Sequence, residues 1–347
     1  MKYPELITFQ DFLSQNLLRT DQSTHTIIDV RSPSEFAIDH IPGAINCPVL
    51  NDEERILVGT MYKQVNAFEA KKVGAALVAK NIGAHIENMF LKKEKHWKPL
   101  IYCWRGGNRS GAMAHVFSKV GWPVMQLDGG YKHYRQYVND AIPQICQHIQ
   151  WKVISGATGS GKSHLLQALE KQGAQVLDLE KLANHRGSVL GKIPLQEQPS
   201  QKMFESKIWH ALHQMNMGEA IFIEAESKKV GNLRLPDAVY DSMHVGSYFQ
   251  VEQSINQRVN LLLQDYAHFE QDIPLLTQQL NCLVSLHGKK QIAAWSELAA
   301  QGQMRNLVHE LLSKHYDPAY TRSHQRNSSS NNTMSSLPLS GTTSKDF

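Results

Sequence analysis

Lys152-Val153-Ile154-Ser155-Gly156-Ala157-Thr158-Gly159-Ser160-Gly161-Lys162-Ser163 decides the fold of the second half of this chain. A short apolar strand runs into a glycine-rich turn, and an amphipathic stretch starts at Lys162. The spacing G-x4-G-K-[ST] is met in full, in the strand-before, helix-after setting that gives it a mechanism. Loop amides and the helix N-terminus behind them converge on the oxygens of a diphosphate. Gly156, Thr158, Gly159, Ser160 and Gly161 are therefore assigned to the cradle. Lys162 neutralises the outer phosphate and Ser163 reaches a Mg2+ ion. The motif defines a site for a ligand ending in a diphosphate and does not by itself make an ATPase. A chance glycine-rich turn is the plain alternative.

Upstream lies a second corner of the same kind, Tyr102-Cys103-Trp104-Arg105-Gly106-Gly107-Asn108-Arg109-Ser110, after the apolar run Pro99-Leu100-Ile101. Its thiol falls at the carboxyl end of a strand, where open α/β sheets place their ligands. Turn amides and the following helix favour thiolate over thiol. Arg105 and Arg109 add full charges, and Gly106 and Gly107 let the loop curl around one point. Cys103, Arg105 and Arg109 are thus the catalytic candidates, with Gly106, Gly107 and Ser110 completing an anion cradle. The competing reading is an inert buried cysteine.

Strands alternate with helices on either side of these corners, which predicts two α/β units with mostly parallel sheets. Residues 26–30, 99–102 and 123–127 read as strands of the first unit, and 67–82 and 111–120 as its helices. This unit is expected to span 1–140, with 141–150, containing Pro143, as a linker. The P-loop domain then occupies 151–320, with strands near 174–179, 220–225 and 245–251. Its C-terminal part, 252–315, is helical. Val259, Leu262, Leu263, Tyr266 and Phe269 recur there at helical spacing and read as core rather than as a binding stripe. The Ser-, Thr- and Asn-rich tail 321–347 is expected to be disordered.

Ile221-Phe222-Ile223-Glu224-Ala225-Glu226 resembles the acidic strand end that serves the metal in P-loop folds. Glu224 ends the apolar run and is the candidate for the metal's surroundings. Glu226 is a second candidate, as base or arginine partner. Arg186 has two readings, phosphate clamp or loop stabiliser. Lys92, Lys93 and Lys95 form a basic cluster that reads either as a solvated face or as a contact to nucleic-acid phosphates. Cys47, Cys146 and Cys282 lack such loops and read as core.

A chain of 347 residues supports two cores. A net charge of +4 is compatible with a nucleic-acid partner without arguing for one. Four cysteines with no C-x-x-C spacing make neither a disulfide framework nor a zinc site, so a reducing, cytoplasmic setting is expected. No apolar stretch approaches the roughly 20 residues that span a bilayer, so no membrane partner is expected.

Ile28-Asp29-Val30-Arg31-Ser32-Pro33-Ser34-Glu35-Phe36, with His40-Ile41-Pro42-Gly43-Ala44-Ile45-Asn46, resembles the rhodanese fold over residues 5–140. The resemblance implies that Cys103 carries sulfur or a heavier chalcogen, and that Asp29 and Arg31 fix the loop by buried pairing. One departure is plain: Arg109 lies six positions after the cysteine, where the common sulfurtransferase loop has five. Related phosphatases and arsenate reductases share the longer spacing. A Cys-dependent phosphatase therefore stays open, although the loop supplies no acidic residue as general acid.

Taken with the P-loop half, the chain resembles the tRNA 2-selenouridine synthases, which are also tRNA geranyltransferases. Four further blocks carry that resemblance: Val58 to Gln64, Asn184-His185-Arg186-Gly187-Ser188, Gln198-Pro199-Ser200-Gln201, and Glu224 to Gly231. It implies a transferase that converts wobble 2-thiouridine in tRNAs for Lys, Glu and Gln to 2-selenouridine through an S-geranyl intermediate. Geranyl diphosphate and selenophosphate, the latter delivered by its synthase, are the implied co-substrates, with Mg2+ and no prosthetic group. The alternative from another class is a fused sulfurtransferase or phosphatase with a nucleotide kinase domain acting on small molecules.

Overall fold

In the first unit, strands β1 (Glu5–Ile7), β2 (His25–Asp29), β3 (Ile45–Asn46), β4 (Lys98–Tyr102) and β5 (Met125–Leu127) form a parallel sheet in the order β1-β5-β4-β2-β3. β4 is central and buried from Pro99 onward, as expected of a strand covered on both faces. The computed structural model describes residues 4–15, 25–327 and 334–338. Ile28, Val30 and Ile101 pack with Phe90, Trp97, Phe117 and Trp122 into the core. Trp97 meets Trp122 edge to face at 5.0 Å, and its indole N–H donates to Thr26 Oγ1 at 2.9 Å. The expected buried pair is present: Arg31 donates to Asp29 through its backbone N–H at 2.9 Å and its guanidinium at 2.6 Å. Arg31 also donates to the Asp39 carbonyl and lies 4.0 Å from the Tyr131 ring centroid. Removing one partner of such a pair costs about 3–5 kcal/mol, because the other charge stays buried.

The second unit holds β6 (Gln150–Ser155), β7 (Gln175–Leu177), β8 (Ala220–Glu224), β9 (Lys229–Val230), β10 (Leu233–Arg234), β11 (Ser247–Glu252) and β12 (Met334–Pro338). Its main sheet is parallel, in the order β12-β11-β6-β8-β7, and β9 and β10 form a separate antiparallel pair. β6, which feeds the P-loop, lies between β11 and β8. The expected α/β class and the parallel sheets are thus observed. Residues 255–327 are almost wholly helical. A core of Leu280, Leu283, Ile292, Trp295 and Leu307 joins the helices Ile273–Asn281, Val284–Ala300 and Met304–Leu311.

Three sequence expectations change. Residues 141–146 are the end of the helix Gly130–Cys146 rather than a linker. Pro143 removes a hydrogen bond, yet the buried stripe Tyr131, Tyr134, Val138, Ala141 and Ile142 continues past it to Cys146. Burial of that stripe outweighs the roughly 3 kcal/mol such a proline costs.

The second change concerns the unit boundary. The first compact unit is Met1–Ala141 with Ser200–His210, and the second is Ile142–Pro199 with Ala211–Phe347. Within the first, Trp209 packs against Phe9 at 5.5 Å and Tyr134 at 5.8 Å, and Arg135 pairs with Glu205.

The tail is the third. The helix Asp317–Asn327 enters it, and β12 pairs with β11 from Tyr248↔Met334 to Glu252↔Pro338. Pairing at a sheet edge draws on backbone groups, which a polar composition does not weaken. Residues 328–333 and 339–347, where disorder was also expected, lie outside the described residues.

Candidate functional site

Cys103 follows the last residue of β4 and is buried. Ser110 Oγ lies 3.2 Å from its Sγ as donor, and Gln126 Nε2 donates to Ser110 Oγ at 3.2 Å and to the Gly106 carbonyl at 2.7 Å. The helix Asn108–Val120 starts directly behind the loop and brings its positive dipole end to the sulfur. The next helix takes two of the loop's carbonyls: Tyr131 N–H donates to Cys103 O at 2.8 Å and Lys132 N–H to Trp104 O at 3.0 Å. That seam is tight. At Gly130, with φ +56°, a Cβ would fall 2.3 Å from Cys103 O and 2.5 Å from Gly106 N. The pair Gly129-Gly130 is therefore part of the corner. Sequence reasoning missed it, although two glycines one residue past a strand were a usable signal.

The two arginines differ from expectation. Arg105 is exposed on the loop. Arg109 is held by Glu35, at 2.7 and 3.3 Å. Burial works against a charge on Glu35, but the Arg109 hydrogen bonds outweigh it and keep the carboxyl below its ordinary range. Arg109 thus ties the loop's helix to the segment Pro33–Ile38, a bond an incoming anion has to compete with. Trp104 is 38% exposed, with its ring 5.2 Å from that of Tyr131. Burial pushes the Cys47 thiol up to about 12 and the Cys146 thiol up to about 11, which keeps both protonated. Cys282 is exposed, against its expected place in the core.

Lys92, Lys93 and Lys95 sit in the turn before β4, at the opposite end of that strand from Cys103. Five residues of strand separate the two ends, about 17 Å. Lys92 and Lys95 are exposed, and Lys93 Nζ lies 5.4 Å from the Trp97 ring centroid.

In the second unit, the loop after β6 leads into the helix Lys162–Lys171. Lys162 Nζ donates to Gly156 O at 2.9 Å and lies 3.4 Å from Glu224 Oε1. Ser163 Oγ is 3.1 Å from carboxylate oxygens of both Glu180 and Glu224. With Glu226 these acids form a cluster in which one carboxylate oxygen from each lies within 4.8 Å of the other two. Burial, then the charge of Glu224, pushes the Glu180 carboxyl up to about 9 and that of Glu226 up to about 8. Crowded carboxylates of this kind are relieved by protons or by a hard divalent cation, and the donors here are all oxygen. Glu224 and Glu226 were both read from sequence, and the structure places them in one cluster. Glu180, on the helix Leu179–Ala183 after β7, was missed. Its signal was an acid just beyond the carboxyl end of a parallel strand.

Asn184–Ser188 borders this cluster. At Gly187, φ +65°, a Cβ would fall 2.7 Å from Glu226 Oε1 and 2.9 Å from Glu180 Oε1. Arg186 donates to the Asp265 carbonyl, and its guanidinium lies 4.7 Å from the Tyr266 ring centroid. His164 Nε2 is 3.0 Å from Asp265 Oδ1, a hydrogen bond that raises the imidazole's pKa against the effect of burial. The P-loop tip is tethered from behind: Arg258 Nε donates to Thr158 O at 2.8 Å, and Arg258 pairs with Asp317 at 2.6 Å.

Gly156, Thr158, Gly159, Gly161, Lys162 and Ser163 line a cavity of about 390 Å3, with Arg186 and the three acids on its walls. Ser160, assigned to the cradle from sequence, is not among the lining residues. Its amide donates to Ala157 O at 3.1 Å, and its buried hydroxyl is packed beside Gly156, where a Cβ would meet it at 2.6 Å. A second, apolar cavity adjoins the first, and Thr158, Ser188, Leu262, Tyr266 and Tyr316 line both. Leu262, Leu263, Tyr266 and Phe269, read from sequence as core, form part of its wall. The core reading holds, since Phe269 belongs to the buried cluster and Leu263 and Tyr266 pack against it, but helical spacing did not tell that the face borders empty space.

A buried thiol on a glycine loop and a diphosphate cradle with clustered acids define a rhodanese-like unit followed by a P-loop unit. Residues 13–137 match the rhodanese-like domain family, and residues 149–280 match the family of the tRNA 2-selenouridine synthase AAA domain. The chain is 33% identical to the tRNA 2-selenouridine synthase of Shewanella loihica, over 86% of this chain and 87% of that one. It is 36% identical to the enzyme of the same name from Nitrosomonas europaea, over 69% of this chain and 63% of that protein, which is less than two thirds of its length. Among solved structures, the N-terminal domain of a putative ATP/GTP binding protein from Clostridium difficile 630 aligns at 33% identity, over 39% of this chain and 98% of that one, with a TM-score of 0.33. The chain belongs to the tRNA 2-selenouridine synthase family.

Proposed function

We propose that this chain replaces sulfur by selenium at C2 of wobble 2-thiouridine in tRNAs for Lys, Glu and Gln, in two steps served by its two corners. In the first, the thiouridine sulfur attacks C1 of geranyl diphosphate at the P-loop. A C–S bond forms, the C–O bond breaks, and the electron pair leaves with pyrophosphate while the base gives up its N3 proton. Lys162 and the loop amides stabilise the charge growing on the leaving group. Glu180, Glu224 and Ser163 suit a Mg2+ ion, which when bound would supply further positive charge to the diphosphate. Arg186, on the cavity wall, is placed to meet the outer phosphate.

Alkylation turns a poor leaving group into geranylthiolate. In the second step the selenium of selenophosphate adds at C2 and geranylthiolate departs, taking up a proton; water then cleaves the Se–P bond, releasing phosphate and leaving 2-selenouridine. This step belongs to the Cys103 corner, where Ser110 and the helix N-terminus stabilise an anionic chalcogen. Exposed Arg105 meets the phosphate, and exposed Trp104 offers a face for a pyrimidine to stack on. Arg109 joins them by exchanging Glu35 for the incoming anion. A substrate of this kind places the enzyme in the cytoplasm. Among the described residues no helix is long and apolar enough to cross a membrane.

The observation that carries this reading is the apolar cavity adjoining the P-loop cavity. Leucine, phenylalanine and methionine walls suit a hydrocarbon, whereas a nucleotide base needs polar partners to fix it. A competition assay tests it. Geranyl diphosphate is expected to displace a fluorescent diphosphate probe at lower concentration than ATP. The opposite order would assign the P-loop to a nucleotide and favour the kinase reading.

A further inference from the structure

We infer that the apolar cavity is a subsite for the hydrocarbon tail of a prenyl diphosphate, and that Phe269, Leu276 and Met304, on the wall away from the P-loop, set the tail length. This rests on the proposal that the P-loop takes a prenyl diphosphate.

The lining residues give the subsite a direction. Thr158, Ser188, Leu262, Tyr266 and Tyr316 face both cavities and mark the junction. Phe269, Leu276, Met304, Leu307 and Leu311 line the apolar cavity and not the P-loop cavity, and all five belong to the buried helical core. A tail that enters past Leu262 therefore runs along packed apolar side chains, with exposed Glu270 on the same lining. Leu262 is fixed at the junction: a Cβ at Gly159 would lie 2.8 Å from it, so loop and side chain are in close apposition. The π-helical turn Leu312–Tyr316 supplies Tyr316 to this same junction and Leu312 to the apolar cavity, and an extra residue in a helical turn often marks a functional site.

Size makes the subsite selective. The apolar cavity is narrow, about 60 Å3, so even a short tail has to shift part of the wall. Met304 is suited to that movement, being unbranched and adaptable, whereas Phe269 and Leu276 are rigid and only 2% exposed. Each methylene that finds room gains about fourfold in affinity. One that does not fit has to displace the core and gains nothing.

The test compares binding of inorganic pyrophosphate and of dimethylallyl, geranyl and farnesyl diphosphates to the full chain and to two variants. In the parent protein, geranyl diphosphate is expected to bind at least about tenfold tighter than pyrophosphate and tighter than farnesyl diphosphate. Met304→Ala is expected to move the farnesyl-to-geranyl affinity ratio about tenfold toward farnesyl, and Met304→Phe to move preference toward dimethylallyl. Pyrophosphate affinity stays constant in both, which shows that the P-loop is still folded. If affinity rises steadily with chain length and neither variant changes the ratios, the tail lies outside this cavity and the inference fails alone. If no prenyl diphosphate binds better than pyrophosphate while ATP does, the proposed function of the P-loop fails with it.

Discussion

The two corners share one construction and differ in what surrounds it. Each places a glycine-rich loop between a parallel strand and a helix N-terminus. At Cys103 the loop is closed up: the next helix takes its carbonyls, Gln126 holds Gly106, and Arg109 is spent on Glu35. At Lys162 the loop borders about 390 Å3 of space, walled by carboxylates that repel one another and backed by an apolar recess. The first arrangement suits a small group held at sulfur and approached from the surface beside Trp104. The second suits a charged head with an extended tail. Similar local geometry therefore does not imply similar chemistry; the neighbours of the loop decide it.

The comparison is broken most severely by removing the cation of the second corner. Lys162→Ala is expected to lower geranyl transfer by about 10²-fold or more, since the leaving pyrophosphate loses its nearest side-chain charge. Rate assays on 2-thiouridine RNA measure this. Full activity in the variant would separate the P-loop from the reaction.

A smaller effect sharpens the role of the acids. Glu180 and Glu226 have folded pKa values raised above the ordinary 4.5, to about 9 and about 8. The folded state holds their protons more tightly, so their contribution to stability is complete below pH 4.5 and is lost as pH rises through 8 to 9. Thermal melts of metal-free protein should therefore fall across that window. Mg2+ should raise the melting temperature more at pH 9 than at pH 6, and Glu180→Gln should reduce that difference. An equal Mg2+ effect at both pH values would contradict a cation held by these acids.

The smallest expected change concerns RNA. Lys92, Lys93 and Lys95 lie at the far end of β4 from Cys103, so any tRNA phosphate they touch is about 17 Å from a base held at that corner. Replacing all three by Gln should weaken tRNA binding modestly and flatten its salt dependence, with geranyl diphosphate affinity unchanged. Titrations at several salt concentrations decide this, and an unaltered slope would make the cluster a solvated face.

Both loops and the alternation of strands and helices were legible in the sequence because each depends on local spacing, and the Asp29–Arg31 pair was implied by the resemblance to the rhodanese fold. What was not legible depends on distant segments. Glu180 joins Glu224 only once β7 and β8 are neighbours, and Gly130 matters because Cys103 O lies against it. Glu35 claims Arg109 from a helix far away in sequence. The apolar recess was hidden for another reason: a hydrophobic period reports which face is buried and says nothing about empty space within the face. The tail showed the converse error, since its polar composition gave no sign of the pairing of β12 with β11.

The central claim is a division of labour between the corners. It is tested most directly by giving Cys103→Ser and Lys162→Ala proteins an RNA already carrying S-geranyl-2-thiouridine, with selenophosphate, and weighing the nucleosides by mass spectrometry. The Lys162→Ala protein should form 2-selenouridine, and the Cys103→Ser protein should leave the geranylated base unchanged. Selenium incorporation by Cys103→Ser at the parent rate, with none by Lys162→Ala, would contradict the claim.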